Sequence, residues 1–228
     1  DHNVWYRHEG RPIYRSSRAL VPDGEGEDTD RHTAAALFET LRDEDVIVSA
    51  HVGGRPADIS LAHDARLEPS VEIHSAWGSF EWVVEDAFAA GYRVGIVAAS
   101  DGHKGRPGAS YPGDAEFGSY GGLTCHLMDD LDRDHLFASF RRRRHFATTG
   151  ARLSLATMLE LPDGGRRYLA DPAATPEAPS EATDRALMGD IVSARGGAGR
   201  FDVEVSAGAG IERIEVRDGM RVLRSGRP

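Results

Sequence analysis

The sequence predicts an α/β protein, with a domain of strands and helices over residues 1–150 and a small β module over residues 151–228. In the first domain, apolar strand-like runs alternate with amphipathic helices, which is typical of a parallel sheet or barrel. Beyond residue 151 the runs alternate apolar and polar residues between turn signals, as antiparallel hairpins do. A chain of 228 residues is long enough to bury a sizeable core.

The first predicted elements pair a strand with a helix. A short strand covers residues 3–6. A helix follows over 33–42, where four apolar residues spaced by three or four positions form one stripe. The compact apolar run 46–50 is the next strand, and it ends at His51.

The same plan then repeats. Residues 70–74 form a short strand, and a helix over 80–90 is stopped by Gly91. An apolar, β-branched run from residue 94 is a buried strand that ends at Asp101 and enters a Gly/Pro loop.

The remaining elements complete the domain and the module. A further strand over 121–127 and a helix over 134–144 end the first domain. Residues 162–187 are rich in Pro, Ala, Gly and acidic residues and are expected to be a linker or mobile insertion. The strands of the module are predicted at 201–205, 211–216 and 221–223.

Ligand-type side chains follow three of the predicted strands. His51 follows the strand predicted at 46–50. Glu72 and His74 share one face of the strand at 70–74, because strand side chains alternate. Asp101 and His103 lie at the end of the strand that begins at residue 94. In parallel sheets and barrels, active sites lie at the carboxyl ends of the strands. The sequence therefore predicts a metal site formed by these five residues, with His2 as a further candidate ligand.

Histidine and carboxylate ligands suit Zn, Mn or Fe. Such ions lower the pKa of a bound water and hold phosphate oxygens. Arg55 and Arg106 follow His51 and His103 by three or four positions in Pro-containing loops, where guanidinium groups would bind a substrate anion. The alternative is that these arginines tie the loops to acidic neighbours.

Composition excludes several classes of protein. With 27 basic and 37 acidic residues, the net charge of −10 disfavours nucleic acid and anionic membranes as partners. Cys125 is the one cysteine, so an internal disulfide is excluded. The sequence shows no transmembrane run and no signal peptide, which favours a cytoplasmic location. Four histidines without ligand spacing are expected at the surface: His8, His32, His135 and His145.

The predicted ligands lie in segments that resemble the polymerase-and-histidinol-phosphatase (PHP) superfamily. The resemblance is carried by Ala-His-Val-Gly-Gly at 50–54, Val-Glu-Ile-His at 71–74 and Ser-Asp-Gly-His at 100–103. A closer resemblance, to an uncharacterised bacterial branch with an appended β-rich module, is carried by residues 1–4, 12–17, 120–124 and 143–152.

This resemblance implies a metal-dependent phosphoesterase on a distorted (β/α) barrel. The family's ligand roles fall on His51, Asp101 and His103, and on Glu72 or His74. The family's opening His-x-His strand, its Asp-His motif and its early bridging Glu are absent from this sequence. The resemblance thus implies a PHP-like barrel without its first strands, an incomplete or empty metal site, an inactive fragment and an open sheet edge that favours a homodimer.

The expected function is a metal-dependent hydrolase that uses metal-activated water on a small anionic substrate, a phosphate ester. Two other functions stay open at this point. One is a metal-dependent amidohydrolase that acts on C–N bonds with similar ligands. The other is a non-catalytic module, a degenerate barrel that binds a carbohydrate or a protein partner.

Overall fold

The structure is a computed structural model that describes residues 1–17, 27–53, 56–103, 120–194, 196–197 and 199–228. Its helices are α1 (Ala34–Leu41), α2 (Glu81–Ala89) and α3 (Arg133–Arg141). Its strands are β1 (His2–Tyr6), β2 (Val46–Ala50), β3 (Ser70–Ser75), β4 (Gly78–Ser79), β5 (Gly95–Ala98), β6 (Leu123–His126), β7 (His145–Thr148), β8 (Leu153–Tyr168), β9 (Ser180–Leu187), β10 (Ile191–Ala194), β11 (Phe201–Ala207), β12 (Ile214–Asp218) and β13 (Arg221–Gly226).

A five-stranded sheet forms the centre of the first domain. Strands β2, β3 and β5 run parallel, with β3 between the other two. Strand β1 adds antiparallel to β2, and β4 folds back on β3 as a short hairpin. The carboxyl ends of β2, β3 and β5 therefore lie along one edge of the sheet, which is the edge that carries the predicted ligands.

The predicted α/β barrel is wrong. Among the described residues β structure predominates, with 39% in strands of several small sheets, only 15% helical and three short α-helices, and these residues form no closed barrel. Parallel pairing does not continue beyond β2, because β1 runs antiparallel to it. Strands β6 and β7 pair with each other as a separate antiparallel hairpin. Alternation of strands and helices along the sequence predicted many of the elements but did not predict how the strands pair.

Helices cover both faces of β2. Val46 and Val48 are fully buried against α1, where Leu41 is also fully buried. Ile47 points to the other face and packs against α3 through Phe137. All five residues of β2 are buried, as expected for a central parallel strand covered on both sides. The strand is thus a rigid support for the residue that follows it, His51.

The β module is a second sheet built on the long strand β8. Strands β9, β10 and β11 all pair with β8 in antiparallel fashion, and β12 and β13 form a separate hairpin. A linker or mobile insertion was expected at 162–187, but residues 162–168 and 180–187 belong to β8 and β9, which pair with each other, and only 169–179 lie outside the strands. A register shift between Glu160 and Gly165 interrupts the ladder, and Gly164 adopts a positive φ of 68° there. The glycines that suggested a loop mark this irregularity within a strand.

His145 is buried, although the sequence placed it at the surface. Its residue exposure is 3%, and its Nε2 lies 2.9 Å from the Ser70 hydroxyl. The ring lies 5.3 Å from that of His126, its partner across the β6–β7 hairpin. The sequence misplaced His145 because the arginine run before it suggested a solvated helix, whereas the helix ends at Arg141 and a strand begins at His145.

The described helices are all too short, or too polar, to cross a membrane.

Candidate metal centre

The centre of the candidate site is the imidazole of His51, at the end of β2. Parallel pairing of β2 with β3 sets Ala50 beside Val71, so the next residues, His51 and Glu72, also lie together. His51 Nδ1 is 2.8 Å from Glu72 Oε1. From β1, the Asn3 side chain donates to the other carboxylate oxygen of Glu72 at 2.9 Å. Glu72 is 2% exposed, so this carboxylate holds the imidazole in a fixed orientation.

Asp101 faces the opposite nitrogen of the same ring. It lies just beyond β5, and its Oδ2 is 3.7 Å from His51 Nε2. That oxygen is buried and accepts no hydrogen bond from any described residue. The backbone of Asp101 has a φ of 46°, in the left-handed region that non-glycine residues adopt at some cost and that Asp tolerates better than most. A strained residue whose buried carboxylate oxygen accepts no hydrogen bond is typical of a functional site.

The environment of His51 favours positive charge on its ring. Burial lowers the pKa of His51, but the hydrogen bond and charge of Glu72, together with the charge of Asp101, outweigh burial and raise the pKa above its ordinary value. The pocket therefore stabilises positive charge at His51. Without a metal ion, a proton on the ring supplies this charge. A metal ion at Nε2 would displace this proton, so binding would release it.

His103 lies close to Asp101 but is more exposed. Its Nδ1 is 2.9 Å from the backbone carbonyl oxygen of Asp101, and its side chain is 45% exposed. His51, Asp101 and His103 together line a cavity of about 370 Å³ that also touches Asn3 and Trp5. The structure thus brings four of the five predicted ligands, His51, Glu72, Asp101 and His103, to one end of the sheet.

His74 has a different role in the structure. Its Nδ1 is 2.6 Å from the Ser79 hydroxyl and its Nε2 is 2.7 Å from the carbonyl oxygen of Tyr120. Both ring nitrogens are therefore already hydrogen-bonded, and the ring fastens the β3–β4 hairpin to the segment before β6. We leave His74 out of the ligand set proposed below for this reason.

His2 lies on β1 opposite Ala50 and belongs to a second cluster. Its Nε2 is 3.3 Å from Glu68 Oε1, and His63 Nδ1 is 2.8 Å from Glu68 Oε2. The Glu68 side chain is fully buried, and the His63 ring stacks on Tyr92 with 3.9 Å between ring centroids. Sequence reasoning missed Glu68 and the contact of Asn3 with Glu72, because neither residue has a spacing that distinguishes it from an ordinary polar residue beside a strand.

The two predicted anion-binding residues, Arg55 and Arg106, lie outside the described residues. Other cations stand near His51. A cavity of about 700 Å³ on the α1 side is lined by His51 together with Arg15, Arg31 and His32. The sequence did not single out Arg15 or Arg31 as anion-binding residues, since both lie between β1 and α1 and neither follows a predicted ligand.

The described residues contain no group of three or more His, Cys, Asp or Glu side chains already arranged around one metal position. What they do contain is a pair of donors that face each other, His51 Nε2 and Asp101 Oδ2. Their separation of 3.7 Å is compatible with two bonds of about 2.0–2.2 Å to one ion. A nitrogen and a carboxylate oxygen suit a borderline transition metal such as zinc. The residues therefore fit a metal ion as a partial ligand set that water or substrate would complete.

Comparisons with family models, with curated proteins and with solved structures find no match to this chain.

Proposed function

We propose that this protein is a metal-dependent hydrolase of phosphate esters, with a divalent ion held by His51 and Asp101. The observation that carries the proposal is the geometry of His51. Glu72 fixes one ring nitrogen at 2.8 Å, and the other nitrogen lies at an ion-pair distance of 3.7 Å from Asp101 Oδ2, a buried oxygen that accepts no hydrogen bond from the described residues. Histidines that bind metal ions usually donate their other ring N–H to a carboxylate, as His51 does to Glu72, and this leaves Nε2 for the ion.

Each residue of the group has a separate task in this proposal. Asp101 contributes negative charge at the ion. Glu72 keeps His51 in the tautomer whose Nε2 carries a lone pair, because a carboxylate accepts the proton on Nδ1. Asn3 in turn fixes Glu72 by donating to its second oxygen. His103, exposed at the same cavity, is placed to contact the ion or the substrate from the solvent side. When bound, the ion would supply a Lewis acid and an activated water.

An anionic substrate is favoured by the charges beside His51. Arg15 and Arg31 line the cavity of about 700 Å³ together with Asp1 and Asp58, and its volume suits a small molecule. Arg15 is paired with Glu27. Arg31 is held by the backbone carbonyl oxygens of Asp28 and Asp30 and lies over the Tyr14 ring. Guanidinium groups fixed in this way bind phosphate oxygens well.

The experiment measures metal binding and hydrolysis in the same protein samples. Zinc and manganese affinities would be measured by calorimetric titration for the wild type, His51→Ala and Asp101→Asn. Hydrolysis of p-nitrophenyl phosphate and bis(p-nitrophenyl) phosphate would be assayed with each metal. A matched control is His135→Ala, because His135 also contacts an aspartate, Asp132, at 2.7 Å but lies at the surface.

We expect both site variants to lose at least tenfold in metal affinity while the control binds as the wild type does. Wild-type affinity in either site variant would overturn the metal site. Metal binding without phosphate-ester hydrolysis, but with turnover of cyclic amides, would replace the proposal with an amidohydrolase. Metal binding with no turnover of either substrate class would favour a binding module.

A further inference from the structure

A third cavity lies where the central sheet meets the β module, and it shares no residue with the candidate metal centre. Its volume is about 710 Å³, which is the size of a small-molecule site. The walls are largely apolar and come from both domains, with Ile73 and Ile96 from the sheet and Met188 and Ile191 from the β9–β10 turn and β10. An apolar body would therefore be well accommodated.

Arg143 contributes the charged part of this wall from an unusual backbone position. It follows α3 with a φ of 54°, and the amide nitrogens of Arg143 and Arg144 donate to the Phe140 and Ser139 carbonyl oxygens at 2.9 and 2.8 Å. This is the helix-ending arrangement in which glycine is the favoured residue, because a side chain there strains the backbone. The arginine at this position therefore contributes to the cavity wall despite the backbone strain.

The guanidinium group of Arg143 lacks a carboxylate partner in the described part of the chain. Its Nε donates to the carbonyl oxygen of Gly189 at 3.1 Å, but no described carboxylate lies within the 4.0 Å of an ion pair. Its neighbours differ, since Arg144 pairs with Asp190 at 2.8 Å and Arg93 pairs with Asp171 at 3.2 Å. Burial lowers the pKa of Arg143, although the charges of Asp171 and Asp190 oppose this shift from beyond ion-pair distance, and the lowering reflects the cost of holding the charge away from water. A bound anion would offset that cost.

We propose that this junction cavity binds a small organic carboxylate, with Arg143 as its counter-ion and the apolar walls around its body. A monoanion fits better than a phosphate, because the other two cations nearby are already paired. Asp190 also lines the cavity and would repel a second negative charge. The planar fork of a guanidinium group matches a carboxylate through two parallel hydrogen bonds.

The probe for this proposal is 4-phenylbutyrate, with 4-phenylbutanamide as its neutral analogue and inorganic phosphate as the competing anion. Binding would be measured by calorimetry on the wild type, Arg143→Gln and Arg142→Gln. Arg142 is the matched control, because it is the adjacent arginine but is exposed and does not line the cavity. Thermal unfolding of each variant would show whether it is folded.

We expect the carboxylate to bind the wild type and Arg142→Gln equally, and Arg143→Gln at least tenfold more weakly. The amide should bind the wild type at least tenfold more weakly than the carboxylate, and this comparison decides the matter if Arg143→Gln does not fold. Equal binding of acid and amide, unchanged binding by folded Arg143→Gln, or no binding of the acid at millimolar concentration would overturn the proposal. Phosphate that binds as tightly as the carboxylate would overturn the choice of ligand.

Discussion

Acid should destabilise this protein through two histidines of the β6–β7 hairpin, the buried His145 and the partly buried His126. Burial lowers the pKa of both His126 and His145 to about 4, from the ordinary value of 6.5. The Ser139 hydroxyl donates its proton to the carbonyl oxygen of Arg144, so it can only accept a hydrogen bond from His126 Nδ1. The proton of the neutral His126 ring therefore lies on Nδ1. Neither ring is paired with a described carboxylate. The folded state therefore keeps both rings neutral.

The sign of the effect follows from these directions. Because the folded pKa lies below the unfolded value, the unfolded chain binds more protons between pH 6.5 and 4. Stability is fully present above pH 6.5 and falls as the pH decreases through this window. At pH 5.5 an unfolded histidine is mostly protonated and the folded one is mostly neutral, so each ring costs about 1.4 kcal/mol. The pair together costs about 3 kcal/mol, a large part of the stability of a typical domain.

The assay is urea unfolding at pH 7.5 and 5.5, followed by fluorescence, for the wild type and His126→Phe. Phenylalanine preserves ring packing against Phe140, whose ring lies 4.5 Å from that of His126. The pKa values of His51 and His135 are raised, chiefly by carboxylate partners, and these two residues titrate with the opposite sign. The decisive quantity is therefore the difference between wild type and variant, in which other groups cancel.

We expect His126→Phe to lose about 1.4 kcal/mol less than the wild type does between the two pH values. His8→Gln, a change of an exposed histidine, should behave as the wild type does. An acid-induced loss that is the same in the wild type and in His126→Phe would refute the reasoning from burial.

Three further predictions concern the two histidine–glutamate clusters. Glu72→Gln would set an amide nitrogen against the Asn3 donor and weaken the hold on His51, so zinc affinity measured by calorimetry should fall about 10–100-fold; unchanged affinity would contradict the role of Glu72. In Gly53→Ala the new Cβ would lie 2.6 Å from His51 Nε2, so metal affinity should fall at least tenfold, whereas Gly102→Ala, whose Cβ would meet nothing nearer than 3.6 Å, should bind normally. His63→Phe would keep the stacking on Tyr92 but remove the hydrogen bond to buried Glu68, and should cost about 1–3 kcal/mol in urea unfolding; wild-type stability would show that the carboxylate does not need this partner.

Several local elements could be predicted closely from the sequence. The strand predicted at 46–50 is β2, and the helix predicted over 80–90 corresponds to α2 at Glu81–Ala89. Such elements can be predicted because a strand or helix that buries one face, or both, shows a matching spacing of apolar residues in the sequence. The pairing of strands has no such pattern, since it depends on which apolar faces meet in space. For this reason the antiparallel place of β1 and the separate β6–β7 hairpin were missed.

Part of the candidate site could also be predicted from the positions of the strand ends. His51 and Asp101 each follow a run that is clearly a strand, and parallel pairing brings such strand ends together whatever closes the sheet. His74 was expected to share the site with Glu72 because side chains alternate along a strand. The β3–β5 ladder shifts register between Glu72 and His74, and a local irregularity of that kind leaves no trace in the residue pattern. Glu68 could not be found because its importance comes from complete burial between two histidines that lie far apart in sequence.

The most direct test of the metal site is anomalous diffraction at the zinc edge from crystals of this protein grown with zinc. The proposal predicts one strong peak about 2.0–2.2 Å from both His51 Nε2 and Asp101 Oδ2, and its disappearance in His51→Ala crystals grown in the same way. A zinc peak at Glu68 and its histidines instead, or no peak beside His51 in the wild type, would contradict the assignment.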